Sequence, residues 1–355
     1  MKKIVLLSVF CFILASCAPA SSISGPVKPV SVVLAAATAT QPAVVPATQP
    51  AATQLPEATE APTVVAASDT STATPQANAT DEVPDFDHIV LIMLENEYYQ
   101  DVIGNAEMPH LNAMAKQNVL LSNYHAVSHP SLPNYLALVS GSTQGISSDC
   151  LTCFIDQPNL ADELEASGRT WKSYQESMPS PCFIGDLHAY AQMTNPFLYF
   201  DSIRKDATRC DRSIVPLSQL DSDLTANQLP NFSLVMPNLC DSGHSCLAAT
   251  ADNWVNEMVV KLQASPALGQ NSLIVITFDE GMEHDTAGVD NKTQGQVAAV
   301  LISPMARQSF IDSSTYSHYS LLKTFLTAWN LPALGNTADD SVQPIVAPWK
   351  TQAGQ

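Results

Sequence analysis

Two runs in this chain, His88-Ile-Val-Leu-Ile-Met-Leu94 and Ser272-Leu-Ile-Val-Ile-Thr-Phe278, are apolar almost without interruption. A strand with one wet face alternates; a short continuous run that stops abruptly belongs to a strand buried on both faces. Both runs stop in acid, at Glu95-Asn96-Glu97 and at Asp279-Glu280-Gly281. Residues 231–236 form a third run, ending in Pro237-Asn238 with Asp241 close behind, and residues 296–303 form a fourth. Further strands are predicted over 119–124 and 170–175, and helices over 109–117, from Ser131 onward, and over 159–167, 251–263 and 319–330. Alternating helices and fully apolar strands predict an α/β fold, a mostly parallel central sheet with helices on both faces. Ligands of such sheets bind beyond the carboxyl ends of the strands, where these Glu, Asn and Asp residues collect.

The chain ahead of residue 81 is of another kind. Lys2 and Lys3 precede an apolar run over 4–14, too short to span a bilayer, and Leu14-Ala15-Ser16-Cys17 resembles a bacterial lipobox. Residues 1–17 therefore read as a lipoprotein signal peptide. Cleavage would leave Cys17 as a lipid-bearing N-terminus, so the protein is expected outside the cytoplasm, anchored to the cell membrane or cell surface. Residues 18–80 are Ala, Thr, Val, Pro, Ser and Gln with little charge and no aromatic residue. They read as a disordered stalk with a coil dimension on the order of 45 Å. Residues 81–355 remain as one globular domain.

Only three of the 15 basic and three of the 34 acidic residues precede residue 81, so the formal net charge of -19 belongs wholly to that domain. Such a surface repels nucleic acid and anionic membranes, and phosphate chemistry on it would need a metal ion. The domain holds Cys150, Cys153, Cys182, Cys210, Cys240 and Cys246. Outside the cytoplasm an even set reads as disulfides. Six cysteines allow many connectivities; the local pairing 150–153, 182–210 and 240–246 is the expectation.

In His129-Pro-Ser-Leu-Pro-Asn-Tyr-Leu-Ala-Leu-Val-Ser-Gly141 a proline sits where a first helical turn tolerates it. A helix therefore starts near Ser131, with Tyr135, Leu136, Leu138 and Val139 directed to a core. Ser131 is then either an N-cap or a nucleophile aimed at an anion held by the helix N-terminus. His125 and His129 beside it read as structural, and His284 as a solvated loop residue.

Taken in order, FDHIVLIMLEN, HPSLPNYLALVSG, MPNLCDSGHSC, VITFDEGMEHD and YSHYSLLKTFL resemble successive blocks of the bacterial phosphoesterase family. That family contains phospholipases C and extracytoplasmic acid phosphatases and belongs to the alkaline phosphatase superfamily. The resemblance covers nearly all of residues 86–332. Ser131-Leu-Pro-Asn134 is also similar to the Thr-x-Pro-Asn of nucleotide pyrophosphatases, and Asp279-Glu280-Gly281-Met282 to their Asp-His-Gly-Met.

The resemblance implies an alkaline-phosphatase-like α/β/α sandwich in which Ser131 forms a phosphoseryl intermediate. Asn134 would donate to a phosphate oxygen, with Asn238 as a further substrate-binding residue. Glu95, Asn96, Asp279 and Glu280, joined by Asp241, would hold a divalent metal. An all-oxygen shell favours Mg²⁺, Ca²⁺ or Mn²⁺ over Zn²⁺. Asp241, His244 and His318 match the second-zinc positions of two-metal members. Glu280 replaces a histidine of that pattern, so His318 or His244 is expected instead as proton donor to the leaving group.

The expected function is an extracytoplasmic, metal-dependent phosphomonoesterase of acid-phosphatase type, acting on a phosphate-ester small molecule or lipid. Phospholipase C or phosphoinositide or sugar phosphatase activity is the alternative within that chemistry. An inactive surface binding module on the same fold is the alternative outside it; the intact Ser131, Asn134, Asp279 and Glu280 speak against that.

Overall fold

A computed structural model of the chain describes residues 83–281 and 295–349. Cys17, the 18–80 segment and His284 lie outside the described residues. The strands are β1 (His88–Leu94), β2 (Val119–His125), β3 (Trp171–Gln175), β4 (Ile214–Pro216), β5 (Phe232–Met236), β6 (Ser272–Phe278), β7 (Gln296–Ile302), β8 (Phe310–Asp312) and β9 (Tyr316–Ser317). They form one sheet in the order β4-β3-β5-β1-β6-β7-β2-β8, with β9 also pairing with β2. The helices are α1 (Tyr99–Val102), α2 (Pro109–Gln117), α3 (Ser131–Ser140), α4 (Leu160–Ala166), α5 (Asp201–Arg204), α6 (Ala207–Ser213), α7 (Ser218–Thr225), α8 (Ala248–Ala264) and α9 (His318–Ala328).

The two apolar runs are the centre of the sheet. β1 pairs in parallel with β5 on one side and β6 on the other, and every residue of β6 is buried. Such strands need cover on both faces, which the helices supply. Every pairing is parallel except those of β7, which runs antiparallel to β6 and to β2. A strand lying beside its predecessor without an intervening crossover must run that way, and among the described residues no helix joins β6 to β7. The short elements over 201–225 have no apolar period long enough to announce them. The three disulfides are Cys150–Cys153, Cys182–Cys210 and Cys240–Cys246, the expected local pairing.

Helix α3 is buried along its whole length, as an apolar helix without a wet face must be. It ends at Gly141 in the left-handed region, φ 70°, where glycine carries no steric penalty. Gly335, also at positive φ, crosses it backbone to backbone. A Cβ on Gly141 would overlap the Leu334 carbonyl, and one on Gly335 the Gly141 carbonyl. This crossing fixes the far end of the helix whose near end carries Ser131. Gly141→Ala should therefore lower stability by about 2 kcal/mol or more, read as a lower denaturant midpoint at unchanged slope.

Candidate active site

Register builds the centre of the site. Leu94 of β1 lies opposite Phe278 of β6, so Glu95 and Asp279 leave neighbouring parallel strands side by side. The Asp279 N–H donates to Leu94 O at 3.0 Å. Asn96 turns the chain at φ 59°, in the left-handed region that Asn enters more readily than most residues. Its N–H donates to Asp279 Oδ1 at 3.2 Å, and that of Glu280 to the same oxygen at 2.7 Å. Asp279 Oδ2 is buried with no hydrogen-bond partner.

Helix α3 brings Ser131 to these carboxylates. Its hydroxyl lies 3.3 Å from Glu95 Oε2 and 3.5 Å from Glu280 Oε1, and only 3% of the residue is exposed. Of the two readings of Ser131, the N-cap is not what the structure has: Pro130 holds the cap position, Ser131 is the first helical residue, and no side chain at the cap bonds the helix. Asp149 takes that work instead, accepting the Leu132 N–H at 2.9 Å. One turn along, the Tyr135 hydroxyl donates to Glu95 Oε1. Burial first, then the charge of Glu95, pushes the Tyr135 hydroxyl well above its ordinary range and keeps it a donor.

Two histidines border the cluster. His244 stands on the turn after β5, closed by the Cys240–Cys246 disulfide and tied to the end of β1 by Glu95 N–H donating to Ser242 O at 3.0 Å. Its Nδ1 lies 2.9 Å from Glu95 Oε2 and 2.7 Å from Asn96 Nδ2. The hydrogen bond with Glu95 raises the His244 pKa against the opposing effect of burial. His129 Nδ1 lies 2.7 Å from Glu280 Oε2. It belongs to the site, whereas its sequence context had it structural. His125 bonds Asn123 at 2.8 Å and, among the described residues, has no bond to the acidic cluster.

Other expected site residues stand differently. His318 is fully buried, with Nδ1 2.9 Å from the Tyr124 hydroxyl and Nε2 2.6 Å from the Asp279 carbonyl oxygen. Burial lowers its pKa to about 4. With both ring nitrogens engaged and no solvent face, it braces β2 against the end of β6 in this geometry, bonded to the Asp279 backbone one residue before Glu280. Asn134 accepts the N–H groups of Val127 and Ser128 and donates to the carbonyls of Ser128 and Pro130 at 2.8 and 3.2 Å, with Glu280 Oε2 at 3.4 Å. Its amide clamps the loop that delivers Ser131, which leaves no hydrogen for a phosphate oxygen in this geometry. Asn238 accepts from Cys240 and Asp241 N–H and donates to Asp241 Oδ2 at 2.8 Å. Asp241 lies against Glu176, whose pKa is raised by burial and by the Asp241 charge. Asp241 thus sits on the turn that also carries His244, its carboxylate held by Asn238.

The electrostatics of the centre are one-sided. Burial first, then the charges of Glu95 and Glu280, raises Asp279 well above the carboxylate range. Burial likewise raises Glu280, against the lowering effect of His129. Among the described residues no three His, Cys, Asp or Glu side chains already form a group that could hold a metal ion. The donor chemistry nevertheless fits a hard cation: clustered carboxylate and hydroxyl oxygens, a buried orphan oxygen on Asp279, and charge in need of compensation.

A model of the family described as Phosphoesterase matches residues 105–332. The chain belongs to the Phosphoesterase family. That span holds Ser131, His244, Asp279, Glu280 and His318, whereas Glu95 and Asn96 precede it. A phosphate-repressible acid phosphatase of Penicillium chrysogenum is 32% identical over 70% of this chain and 60% of its own length. A phosphatidylinositol-3-phosphatase of Mycobacterium tuberculosis is 30% identical over 78% of this chain and 88% of its own. The chain thus spans less than two thirds of the Penicillium relative. A solved structure from Vibrio parahaemolyticus, described as a protein in the alkaline phosphatase superfamily, matches at a TM-score of 0.52. Its identity is 12%, over 72% of this chain and 69% of that one, a likeness of fold.

If His318 is a brace, His318→Ala leaves the Tyr124 hydroxyl and the Asp279 carbonyl without a partner and opens a cavity. The variant should lose about 2–4 kcal/mol of stability, measured by denaturant unfolding.

Proposed function

We propose that the domain hydrolyses phosphate monoesters through Ser131, as an extracytoplasmic, metal-dependent phosphatase. The observation that carries this reading is the Ser131 hydroxyl, almost wholly buried at the head of α3 and within 3.5 Å of both Glu95 and Glu280. A structural serine at a helix start faces the backbone; this one faces carboxylates.

Glu95, Asn96, Asp279 and Glu280 would hold the metal, with the Ser131 oxygen adjacent. A divalent ion bound there neutralises phosphate oxygens and lowers the pKa of a serine hydroxyl. Ser131 attacks phosphorus, its proton already directed at a carboxylate oxygen, and the leaving group departs as an alcohol. His244 supplies that proton: its Nδ1–H donates to Glu95 Oε2, and Nε2 remains for the departing oxygen. Water then hydrolyses the phosphoserine. Tyr135 and Asn134 act from behind, holding Glu95 and the loop before Ser131.

Extracytoplasmic location and lipid anchoring rest on the Lys2–Cys17 pattern and the stalk. The acid phosphatase relatives support monoesters as substrates. The Mycobacterium relative, whose length this chain covers at 88%, supports including phosphoinositides among them.

Ser131→Ala should fold normally and lose about three orders of magnitude or more in turnover. Retained turnover at a changed melting temperature would return Ser131 to a structural role. Chelation should abolish activity, and Mg²⁺, Ca²⁺ or Mn²⁺ should restore it in the native chain but not in Asp279→Asn. Leaving groups separate the histidines. His244→Ala should slow an alkyl phosphate far more than nitrophenyl phosphate, whose leaving group needs no proton, whereas His318→Ala should slow both alike. Cys17→Ser should move the protein out of the membrane fraction.

A further inference from the structure

The loop after α3 brings one more carboxylate to the nucleophile, and the reaction described above leaves it without a role. Asp149 Oδ1 accepts the Leu132 N–H at 2.9 Å, and Leu132 directly follows Ser131. That amide is a first-turn donor of α3, without a carbonyl partner inside the helix. It is also the kind of group that a phosphate bonded to the preceding serine oxygen would use, because helix N-termini hold anions. Asp149 is solvent-exposed, and its bond to the Leu132 amide sets its carboxylate one residue from the nucleophile along α3. Its loop is stiff: the Cys150–Cys153 disulfide follows at once, and the Leu151 carbonyl accepts from the buried Gln192 amide at 2.8 Å.

We propose that Asp149 is a specificity-determining residue whose carboxylate occupies the anion position at the head of α3. Resting on the reading of Ser131 as nucleophile, the proposal has a defined consequence. A substrate or product phosphate gains the Leu132 amide only by displacing Asp149, and the fixed charge weighs hardest on oxyanions with two negative charges. Like charges a few ångströms apart near a protein surface repel strongly enough to change binding tenfold or more, and a repulsive element of this kind is a common route to discrimination. The site thereby releases inorganic phosphate readily and favours singly charged phosphate esters.

Asp149→Asn keeps an acceptor for the Leu132 N–H and removes the charge; Asp149→Ala removes both. The probe is competitive inhibition by inorganic phosphate, measured in the intact protein on either side of the second ionisation of phosphate. In Asp149→Asn the inhibition constant should fall about tenfold or more where the dianion dominates, and little where the monoanion does. If Asp149 only caps the helix, Asp149→Ala lowers the melting temperature, Asp149→Asn restores it, and phosphate inhibition stays put in both; that result overturns the proposal. A loss of turnover in Asp149→Asn without tighter phosphate binding also overturns it, because the charge then assists the reaction. Ser131→Ala run alongside separates the two readings. An active Ser131→Ala removes the nucleophile and the role of Asp149 with it, whereas an inactive one beside unmoved phosphate inhibition removes Asp149 alone.

Discussion

Glu95, Asp279 and Glu280 meet where two parallel strands end, in a place nearly closed to water, and among the described residues no lysine or arginine is paired to them. Buried like charges raise one another's proton affinity, and Asp279 and Glu280 show that rise. Buried together, such groups resist full ionisation unless a compensating charge is present. The neighbouring details answer to this one tension. Tyr135 and Ser131 offer hydroxyls to Glu95, His244 shares its Oε2, and two backbone N–H groups converge on Asp279 Oδ1. One oxygen, Asp279 Oδ2, is left over.

The fold imposes this crowding through register and burial. β5, β1 and β6 are adjacent and parallel, so the turns that follow them open on the same edge of the sheet. Apolar strands fix that edge rigidly, since a slip of one residue would turn a buried face outward. Helix α3 arrives from β2, two strands beyond β6, and is locked behind by the Gly141–Gly335 crossing and ahead by Asn134 on the loop over 127–130. His318 braces the same region from α9, bonding the backbone of Asp279 rather than a carboxylate.

Much of this was legible from residues alone. Continuous apolar runs ending in acid marked β1 and β6 and placed Glu95, Asp279 and Glu280 at one end of a sheet. The helix at Ser131 was equally plain, whereas six cysteines allow fifteen pairings and the local set was only the simplest of them. Pairwise geometry was not legible. No sequence pattern tells that the Ser131 hydroxyl turns away from the cap position, or that Asn134 is held by the carbonyls of Ser128 and Pro130. His318 stood in a family block and read as a proton donor, but burial between Tyr124 and Asp279 is a property of β9 lying beside β2, which spans a long stretch of chain. Asp149 could not be found from spacing, because a lone acid in a loop beyond a helix has no period. Tyr135 did carry a signal, four residues after Ser131 and so on the same helical face, but a tyrosine in an apolar run reads as core.

The central claim is that the phosphoryl group passes through a serine before it reaches water. The stereochemical course at phosphorus tests it most directly, using a monoester made chiral with oxygen isotopes and an alcohol acceptor to trap the product. Two successive in-line displacements predict retention of configuration. Inversion would mean a single direct transfer, and would contradict a covalent role for Ser131 whatever its variants do to the rate.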